Sequence, residues 1–355
     1  MKLIKYIFIC SLISALAVSC EKGLDPIISV NPQPDVSAPD VEITYPVEGK
    51  TIVSLDESAT ITIKLLATDD AELKSVVLNL NGSEIANITS FKDYMRLDLQ
   101  YEYAGMTDGD YTLTVTVTDL TDKSATQTVN FGKLTAPPYN ALEGEVLYFP
   151  FDSYYLDLIS KNEATRVGVA GFAEGKVNDA YAGATGAYLQ YPTTGLMGDE
   201  FSLCFWYKIN AVPDRAGIVA ISPPTDAVTQ DRTTGFRLFR EASGANQNIG
   251  LNIGIGAVDV WMNPFTNVPV DQDWMHIAIS ISTTLATIYV NSEIVLETEL
   301  AAKIDWTNCS SISIGSGEPN FVYWLHFSDL SLYDEMHFFK RAITAAEVQS
   351  FYAVK

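Results

Sequence analysis

From residue 41 onward the chain is a succession of short runs in which apolar and polar residues alternate. Runs such as ATITIKLLATDD, DYTLTVTVTDLTD and ATIYVNSEIVLETEL have the period of two that places successive side chains on opposite faces of a β-strand. Turn signals such as Asn81-Gly82 separate these runs. The one convincing helical signal is short: in ITAAEV, Thr344 can cap a helix and Glu347 completes the capping box. The pattern therefore predicts an all-β protein with a single terminal helical turn.

Residues 1–19 have the pattern of a secretory signal. Lys2 and Lys5 precede an apolar run, and small residues lead up to Cys20. The run is too short to span a bilayer as a stable helix. The ending LAVSC resembles the bacterial lipoprotein signal, in which the cysteine becomes the acylated first residue. The alternative is an ordinary signal in which the cysteine is a coincidence.

The segment that follows the signal sequence predicts how the chain is attached to a membrane. Residues 20–40 contain four prolines and little apolar periodicity, which is typical of an extended tether. Together with the lipoprotein signal, this predicts a lipid-anchored protein of the outer membrane, surface-exposed or facing the periplasm. Membrane attachment would then be through the lipid alone.

The charge excludes one class of partner. Removing residues 1–19 takes two lysines and no acid from 22 basic and 44 acidic side chains, so the remaining chain has a net charge of −24. A surface this acidic repels phosphate backbones, and nucleic acid is excluded as a partner.

Two composition shifts divide the rest of the chain. Residues 41–133 are predicted to form one domain and residues 145–355 another, joined by a linker over residues 134–144. Strand spacing favours a Greek-key β-sandwich of the immunoglobulin type for the first domain and a larger β-sandwich for the second. In the second domain, Cys204 and Cys309 could form a disulfide in an exported protein, or remain as two buried thiols.

The first domain resembles the bacterial Ig-like and cadherin-like repeats of cell-surface proteins. The resemblance lies in PDVEITYPVEGKTI, ATDDAELKSVVLNLNG and DGDYTLTVTVTDLTDKSATQTV, and it names no ligand. Four acids in this domain could bind calcium at a loop end, or be solvated turn residues. They are Asp69, Asp70, Asp119 and Asp122.

The second domain resembles the laminin-G-like family of the concanavalin A-like lectin/glucanase superfamily. Segments in the family's order across residues 146–352 include VLYFPFDS, FSLCFWYKIN, DWMHIAISISTTLATIYVNSEIV and YDEMHFFKRAITAAEV. The resemblance implies a jelly-roll β-sandwich whose first and last strands are neighbours. Two departures stand out: Ser292 replaces the family's usual glycine, and NFVYWLHFSDLS is longer and more aromatic than usual.

The implied pairing of first and last strands suggests a second calcium site. Asp152 and Asp334 could approach each other and share the ion with backbone carbonyls. The alternatives are hydrogen bonds to loop amides or pairing with Lys340 or Arg341.

The acids and histidines do not form a recognised catalytic set. Retaining glycosidases of this superfamily place their two carboxylates at least two positions apart on one strand, whereas Asp334 and Glu335 are adjacent and are expected to point to opposite faces. His276, His326 and His337 lack metal-ligand spacing. The sequence therefore predicts a protein that is not an enzyme.

The candidate binding residues are aromatic, because sugars stack their apolar faces on tryptophan and tyrosine. Trp206 and Trp274 fall in strand patterns and are assigned to packing, whereas four aromatic residues lie in or near loops: Trp261, Trp306, Tyr323 and Trp324. Alternation along EPNFVYWLHF predicts that Phe321 and Leu325 are buried and Trp324 is exposed. The platform would lie beside Trp261, with Asn263 or Arg240 as polar partners.

These observations predict non-catalytic recognition of a polysaccharide or other glycan by the second domain. Two other classes stay open. One is a structural or adhesive module that contacts neighbouring surface proteins, and the other is a glycosidase with an unrecognised site.

Overall fold

The structure, a computed structural model, describes residues 35–224, 232–322 and 324–353. The signal sequence, Cys20 and most of the tether lie outside the described residues, so their assignments stay predictions. No helix within the three described segments is long and apolar enough to cross a membrane.

The chain divides into two compact units. Most of residues 35–131 belong to the first unit. The second unit contains residues 132–353 together with the short segments 51–59 and 107–109. The expected all-β class, an Ig-like sandwich followed by a concanavalin A-like sandwich, is confirmed.

The chain up to residue 135 folds into two sheets. Its strands are β1 (Asp40–Tyr45), β2 (Thr51–Ser54), β3 (Ala59–Thr68), β4 (Leu73–Leu80), β5 (Ser83–Ile88), β6 (Arg96–Met106), β7 (Gly109–Asp119) and β8 (Ser124–Thr135). One sheet has the order β1-β3-β6 and the other β2-β8-β7-β4-β5.

Strand β7 shows why the sequence folds this way. Its residues Leu113, Val115 and Val117 are fully buried. The intervening Thr114 and Thr116 instead hydrogen-bond across to threonines of β8, with oxygen separations of 3.1 Å. The alternation of TLTVTVT thus separates a core face from a polar face.

The second unit is a two-sheet sandwich. Its strands are β9 (Glu145–Phe149), β10 (Thr165–Val167), β11 (Gly171–Glu174), β12 (Asp179–Ala182), β13 (Tyr188–Pro192), β14 (Phe201–Lys208), β15 (Arg215–Ile221), β16 (Phe236–Ser243), β17 (Asn246–Gly254), β18 (Asp259–Pro269), β19 (Met275–Ile281), β20 (Leu285–Val290), β21 (Glu293–Glu299), β22 (Ser311–Ile314) and β23 (Leu332–Phe339).

Seven strands form one sheet, in the order β10-β13-β22-β15-β16-β17-β18. The other sheet has the order β11-β12-β23-β14-β19-β20-β21, and β9 also pairs with β23. The expectation that the first and last strands are neighbours is therefore confirmed. The large apolar core lies between the two sheets, with residues such as Phe205, Leu238 and Ile279 at its centre.

A single helix is described, α1 (Ala345–Tyr352). Both halves of the capping box between Thr344 and Glu347 are present, as the sequence predicts. Val348 and Phe351 pack on Cys204 and Phe339, on the face of the eight-stranded sheet that is turned away from the core.

The two cysteines of the second unit are separate buried thiols. Cys204 lies under α1, and Cys309 lies at the edge of the inter-sheet core. Burial raises the pKa of the Cys204 thiol well above its usual value. Of the two alternatives left open by the sequence, a disulfide or two buried thiols, the structure has the two buried thiols.

Candidate functional site

The outer face of the seven-stranded sheet carries a row of polar and aromatic side chains. On β16, Phe236 and Leu238 point into the core, whereas Arg237 lies on the opposite face. Arg237 is opposite Asn252 of β17, and Asn252 is opposite Trp261 of β18. Three neighbouring strands therefore present one continuous row on this face.

A loop over residues 316–329 covers part of this face. The Gly217 amide of β15 donates to the Phe327 carbonyl at 3.1 Å, and Ser222 Oγ donates to the Asn320 carbonyl at 2.8 Å. Arg215 Nη1 donates to the Trp324 carbonyl at 3.1 Å. These bonds fix the loop to the sheet and hold Trp324 over it.

The loop brings Trp324 next to Trp261. Their ring centroids are 5.4 Å apart, with 37° between the ring planes. The Arg232 guanidinium carbon lies 5.3 Å from the Trp324 ring and 5.9 Å from the Trp261 ring. Trp261 remains 38% exposed, and Asn263 is exposed two residues further along the strand. We call these four residues the tryptophan patch.

A chain of hydrogen bonds supports the patch from below. Arg237 Nη1 donates to Asn252 Oδ1 at 3.1 Å, and Asn252 Nδ2 donates to Asp259 Oδ2 at 3.0 Å. The same Asp259 oxygen accepts from Arg232 Nε at 3.1 Å. The Asp259 carboxylate thus orients Arg232, and the guanidinium group lies against the rings of Trp261 and Trp324.

The side chains that contact the two tryptophan rings from beneath are aromatic. The edges of Phe239 and Phe321 meet Trp261 and Trp324 at centroid distances of 6.0 Å. His326 stacks on Phe321 at 4.5 Å. Burial, with the nearby arginines, lowers the pKa of His326 to about 3, so the imidazole is neutral at ordinary pH.

Asn263 is positioned by a glycine on the neighbouring strand. A Cβ at Gly250 would lie 2.7 Å from Asn263 Cγ and 2.7 Å from the Phe239 ring. The absence of a side chain at Gly250 lets the asparagine lie beside the aromatic layer.

The structure brings together three of the five predicted ligand residues, Trp261, Asn263 and Trp324. Tyr323 lies outside the described residues. Arg232 and Asp259 were missed by sequence reasoning. Asp259 could have been found, since it lies two residues before Trp261 on one strand, whereas the loop position of Arg232 gives no periodic signal.

The prediction for the residues around Trp324 is wrong in one respect. The segment is a loop, so the expected alternation does not apply: Phe321 is buried, but Leu325 is 61% exposed and has a positive φ of 61°. Trp324 is partly buried against Phe321.

Arg240 is also corrected. It is fully buried and points into the sandwich, because it lies on the same face of β16 as Leu238. Its Nε donates to Asp329 Oδ1 at 2.9 Å, and its Nη1 donates to Gln247 Oε1 at 2.8 Å. A side chain held in this way cannot line a surface platform.

The other tryptophans lie elsewhere in the second unit. Trp206 is buried on the outer face of the eight-stranded sheet, where it stacks on Tyr352 of α1 at 5.7 Å. Trp306 packs against the core edge, and its Nε1 donates to the Gly198 carbonyl at 2.9 Å. Trp274 is partly exposed just before β19.

For Asp152 and Asp334 the sequence left open a calcium pair or hydrogen bonds to loop amides, and the structure shows the hydrogen bonds at Asp334. Asp334 Oδ2 accepts from the backbone amides of Lys176 and Val177 at 2.7 and 2.8 Å, and Oδ1 accepts from the Glu335 amide at 2.8 Å. Asp152 instead accepts from Asn178 Nδ2 at 3.3 Å. The Asp334 carboxylate is therefore held by backbone amides, and a calcium ion shared with Asp152 stays a prediction.

The adjacent acids of β23 do not follow strict alternation either. Asp334 is opposite Trp206 and His337 is opposite Cys204, so two residues of β23 face one residue of β14. Glu335 has a positive φ of 49° at this bulge. Its Oε2 accepts from the Tyr148 hydroxyl at 2.9 Å. The carboxylate is therefore held by the first strand of the domain.

The buried carboxyls make stability depend on pH. Burial, together with the neighbouring Glu335, raises the pKa of Asp334 to about 8, although the hydrogen bonds from the backbone amides of Val177 and Lys176 lower it. The folded state then holds a proton that the unfolded chain releases near pH 4, so this contribution to stability is complete at low pH and is lost as the pH rises through 8. We expect a higher unfolding midpoint at about pH 5 than at about pH 9.

The variant Asp334→Asn should flatten this dependence, since an amide does not titrate. The exposed Asp271→Asn is the matched control and should follow the native pH profile. Parallel profiles for native protein and Asp334→Asn, measured by tryptophan fluorescence, would remove Asp334 as the cause.

Comparisons with known proteins agree with this architecture. Residues 39–129 match a family of bacterial Ig domains, and residues 183–349 match the concanavalin A-like lectin/glucanases superfamily. No curated protein matches the chain at a significant level.

Two solved structures illustrate the similarity. One is domain 4 of AbnA, a GH43 extracellular arabinanase from Geobacillus stearothermophilus, solved in complex with arabinotriose. Its sequence is 18% identical to this chain, and the match covers 59% of this chain and 98% of that chain, with a TM-score of 0.46. The binding domain of Paraclostridial Mosquitocidal Protein 1 is 14% identical, with 59% of this chain and 52% of that chain covered and a TM-score of 0.43.

Proposed function

We propose that this chain, which carries a bacterial Ig domain followed by a domain of the concanavalin A-like lectin/glucanase superfamily, binds glycan chains through the tryptophan patch without cleaving them. The observation that carries the proposal is the partly exposed pair of Trp261 and Trp324, 5.4 Å apart and flanked by Arg232 and Asn263.

The chemistry of the patch suits a sugar. The apolar C–H faces of a pyranose or furanose ring stack on indole, and nearby amide and guanidinium groups bind its hydroxyls. Trp261 and Trp324 offer the stacking surface. Asn263 offers both a donor and acceptors, and Arg232 offers donors. Because the rings rest on a packed aromatic layer, binding orders few side chains, which limits its entropic cost.

The glycan we propose is neutral. The charge of Arg232 is compensated by Asp259, 3.1 Å away, and the chain beyond residue 19 has a net charge of −24. An acidic polysaccharide would meet long-range repulsion with no uncompensated cation in the patch to offset it.

The non-catalytic part of the proposal rests on the carboxylates. A retaining glycosidase needs two carboxyl groups about 5–5.5 Å apart beside the scissile bond. Asp259, which pairs with Arg232 of the patch, also accepts from Asn252, and Glu241 lies beside His326 and Arg215. Glu335 and His337 lie instead on the other sheet, where they contact Tyr148 and Phe351.

We also propose that the protein works at the outer membrane, anchored by lipid on Cys20. The sequence around Cys20 and the tether over residues 20–40 support this placement. In this arrangement the glycan-binding domain is held away from the membrane by the tether and the Ig domain.

The test is binding of the full chain to immobilised neutral and acidic polysaccharides, followed by titration with the best binder. We expect Trp324→Ala and Trp261→Ala each to weaken binding about tenfold, since stacking on an aromatic platform contributes about 1 to 3 kcal/mol and tenfold corresponds to about 1.4 kcal/mol. Trp274→Ala is the matched control and should bind like the native chain.

Three results would contradict the proposal. They are the absence of binding to every polysaccharide, equal losses in all three tryptophan variants, and release of reducing sugar from the bound polysaccharide.

A further inference from the structure

Three aspartates converge in the first unit. Asp35 precedes β1, Asp69 follows β3 and Asp119 ends β7, and each offers a carboxylate oxygen that lies within 4.8 Å of the others. Residues far apart in sequence therefore build one acidic cluster, which we call the Asp35 cluster.

Two members of the cluster have buried oxygens that lack a hydrogen-bond partner among the described residues. Asp119 is 0% exposed: its Oδ1 accepts from the Thr121 and Lys123 amides at 2.7 and 2.9 Å, but no group among the described residues donates to its Oδ2. Asp69 is 9% exposed, and its Oδ2 accepts from the Ala71 amide at 3.0 Å while no described group donates to its Oδ1.

Such an arrangement needs a counter-charge. A buried carboxylate oxygen without a donor is destabilising, and two carboxylates side by side repel each other. The fold nevertheless places Asp69 and Asp119 together and uses the second oxygen of each to fix its own turn. In each carboxylate, one oxygen accepts a hydrogen bond from its own turn, and this bond fixes the position of the other oxygen.

Lys123 neutralises only part of the cluster. Its ammonium lies 2.5 Å from Asp35 Oδ1 and also donates to the backbone carbonyl of Ser37 at 3.3 Å. The other oxygen of Asp35 accepts from Thr121 Oγ1 at 2.5 Å. One ammonium against three carboxylates leaves two negative charges.

We propose that the Asp35 cluster binds a divalent cation, with calcium as the natural occupant. Asp69 Oδ1 and Asp119 Oδ2 are the primary ligands, and Asp35 is the third carboxylate. Calcium takes several oxygen ligands in a flexible geometry, which suits carboxylates contributed by three separate segments. The ion would join the segment before β1 to the turns after β3 and β7.

The assignment differs from the sequence expectation, which grouped Asp69 and Asp119 with Asp70 and Asp122. Asp70 accepts from Ser37 Oγ at 2.7 Å, and the exposed Asp122 pairs with Lys74. These two acids anchor neighbouring segments, and Asp35, near the end of the predicted tether, replaces them in the cluster.

The test is calorimetric titration of the purified full chain with calcium chloride in metal-free buffer, together with thermal unfolding in calcium and in chelator. We expect saturation below about 1 mM, the weak end for extracellular calcium modules, and a higher unfolding midpoint of the first unit with calcium. Asp69→Asn and Asp119→Asn should each weaken calcium binding at least about tenfold, because each removes a charged ligand while its remaining oxygen can still cap the turn.

Asp122→Asn is the matched control: it removes the same charge from the same turn and should bind like the native chain. Lys123→Met should bind calcium more tightly, since it removes the ammonium that competes for Asp35. The proposal is overturned if the native chain binds no calcium at about 1 mM, or if affinity is unchanged in both cluster variants. A third result also overturns the proposal: Asp119→Asn raises the unfolding midpoint while calcium leaves the midpoint of the native chain unchanged. In that case Asp69 and Asp119 share a proton and do not bind an ion.

Discussion

Replacing Asp329 with alanine should reduce the free energy of unfolding of the second unit by about 3–5 kcal/mol, the typical cost of removing one partner from a buried ion pair. The Asp329 carboxylate is fully buried and lies 2.8 Å from Arg240 Nη2. The hydroxyls of Tyr207 and Tyr333 each donate to its Oδ2 at 2.6 Å, and Ser331 Oγ donates to its Oδ1 at 2.8 Å. Without the carboxylate, a guanidinium and three hydroxyls lose their acceptor inside the core.

Tryptophan fluorescence reports this loss selectively, because all five tryptophans of the chain lie in the second unit. For a domain of this size, 3–5 kcal/mol lowers the unfolding midpoint by about 10 °C. Tyr333→Phe is the matched control, since it removes one neutral donor to the carboxylate and should cost only about 1.5–3 kcal/mol. If Asp329→Ala costs no more than Tyr333→Phe, the ion pair contributes little.

The second variant with a large expected effect is Gly217→Ala, which should displace the loop over residues 316–329. A Cβ at Gly217 would overlap the backbone of Ser316 and Gly317 at less than any real contact distance. Backbone cannot yield as the end of a side chain can, so we expect a loss of about 1–3 kcal/mol in stability and a shift of the whole loop. Trp324 would then leave its position beside Trp261.

Two measurements check this result. The near-ultraviolet circular dichroism of the coupled tryptophans should decrease, and glycan affinity should fall by more than in Trp324→Ala, because Arg215 also loses its bond to the loop. Gly171→Ala is the control, since nothing lies within 4 Å of the Cβ it would add. An unchanged dichroism spectrum in Gly217→Ala would show that the loop tolerates the methyl group.

The fold could be predicted because it rests on local periodicity. Strands such as β7 and β14 alternate or run apolar over many residues, and the pairing of β9 with β23 followed from resemblance in the order of segments. The capping box at Thr344 is likewise complete within four residues of sequence.

The site could be predicted only in part because its geometry depends on interruptions of that periodicity. The loop that carries Trp324 and the bulge at Glu335 both contain residues with positive φ, which no alternation pattern anticipates. Arg240 was misplaced for a different reason. A charged residue in a strand is usually solvated, and the burial of Arg240 depends on its ion pair with the distant Asp329.

The position of β23 has a consequence for how the second unit acquires its structure during synthesis. In chain order β23 is the last strand of the second unit, yet it is an interior strand, hydrogen-bonded to β12, β14 and β9. A nascent chain that ends before Leu332 therefore exposes the apolar faces of both halves of the sheet and cannot close the sandwich. The second unit therefore cannot complete its fold until β23 has been synthesised, and an unfolded polypeptide is the form that can pass through a narrow channel.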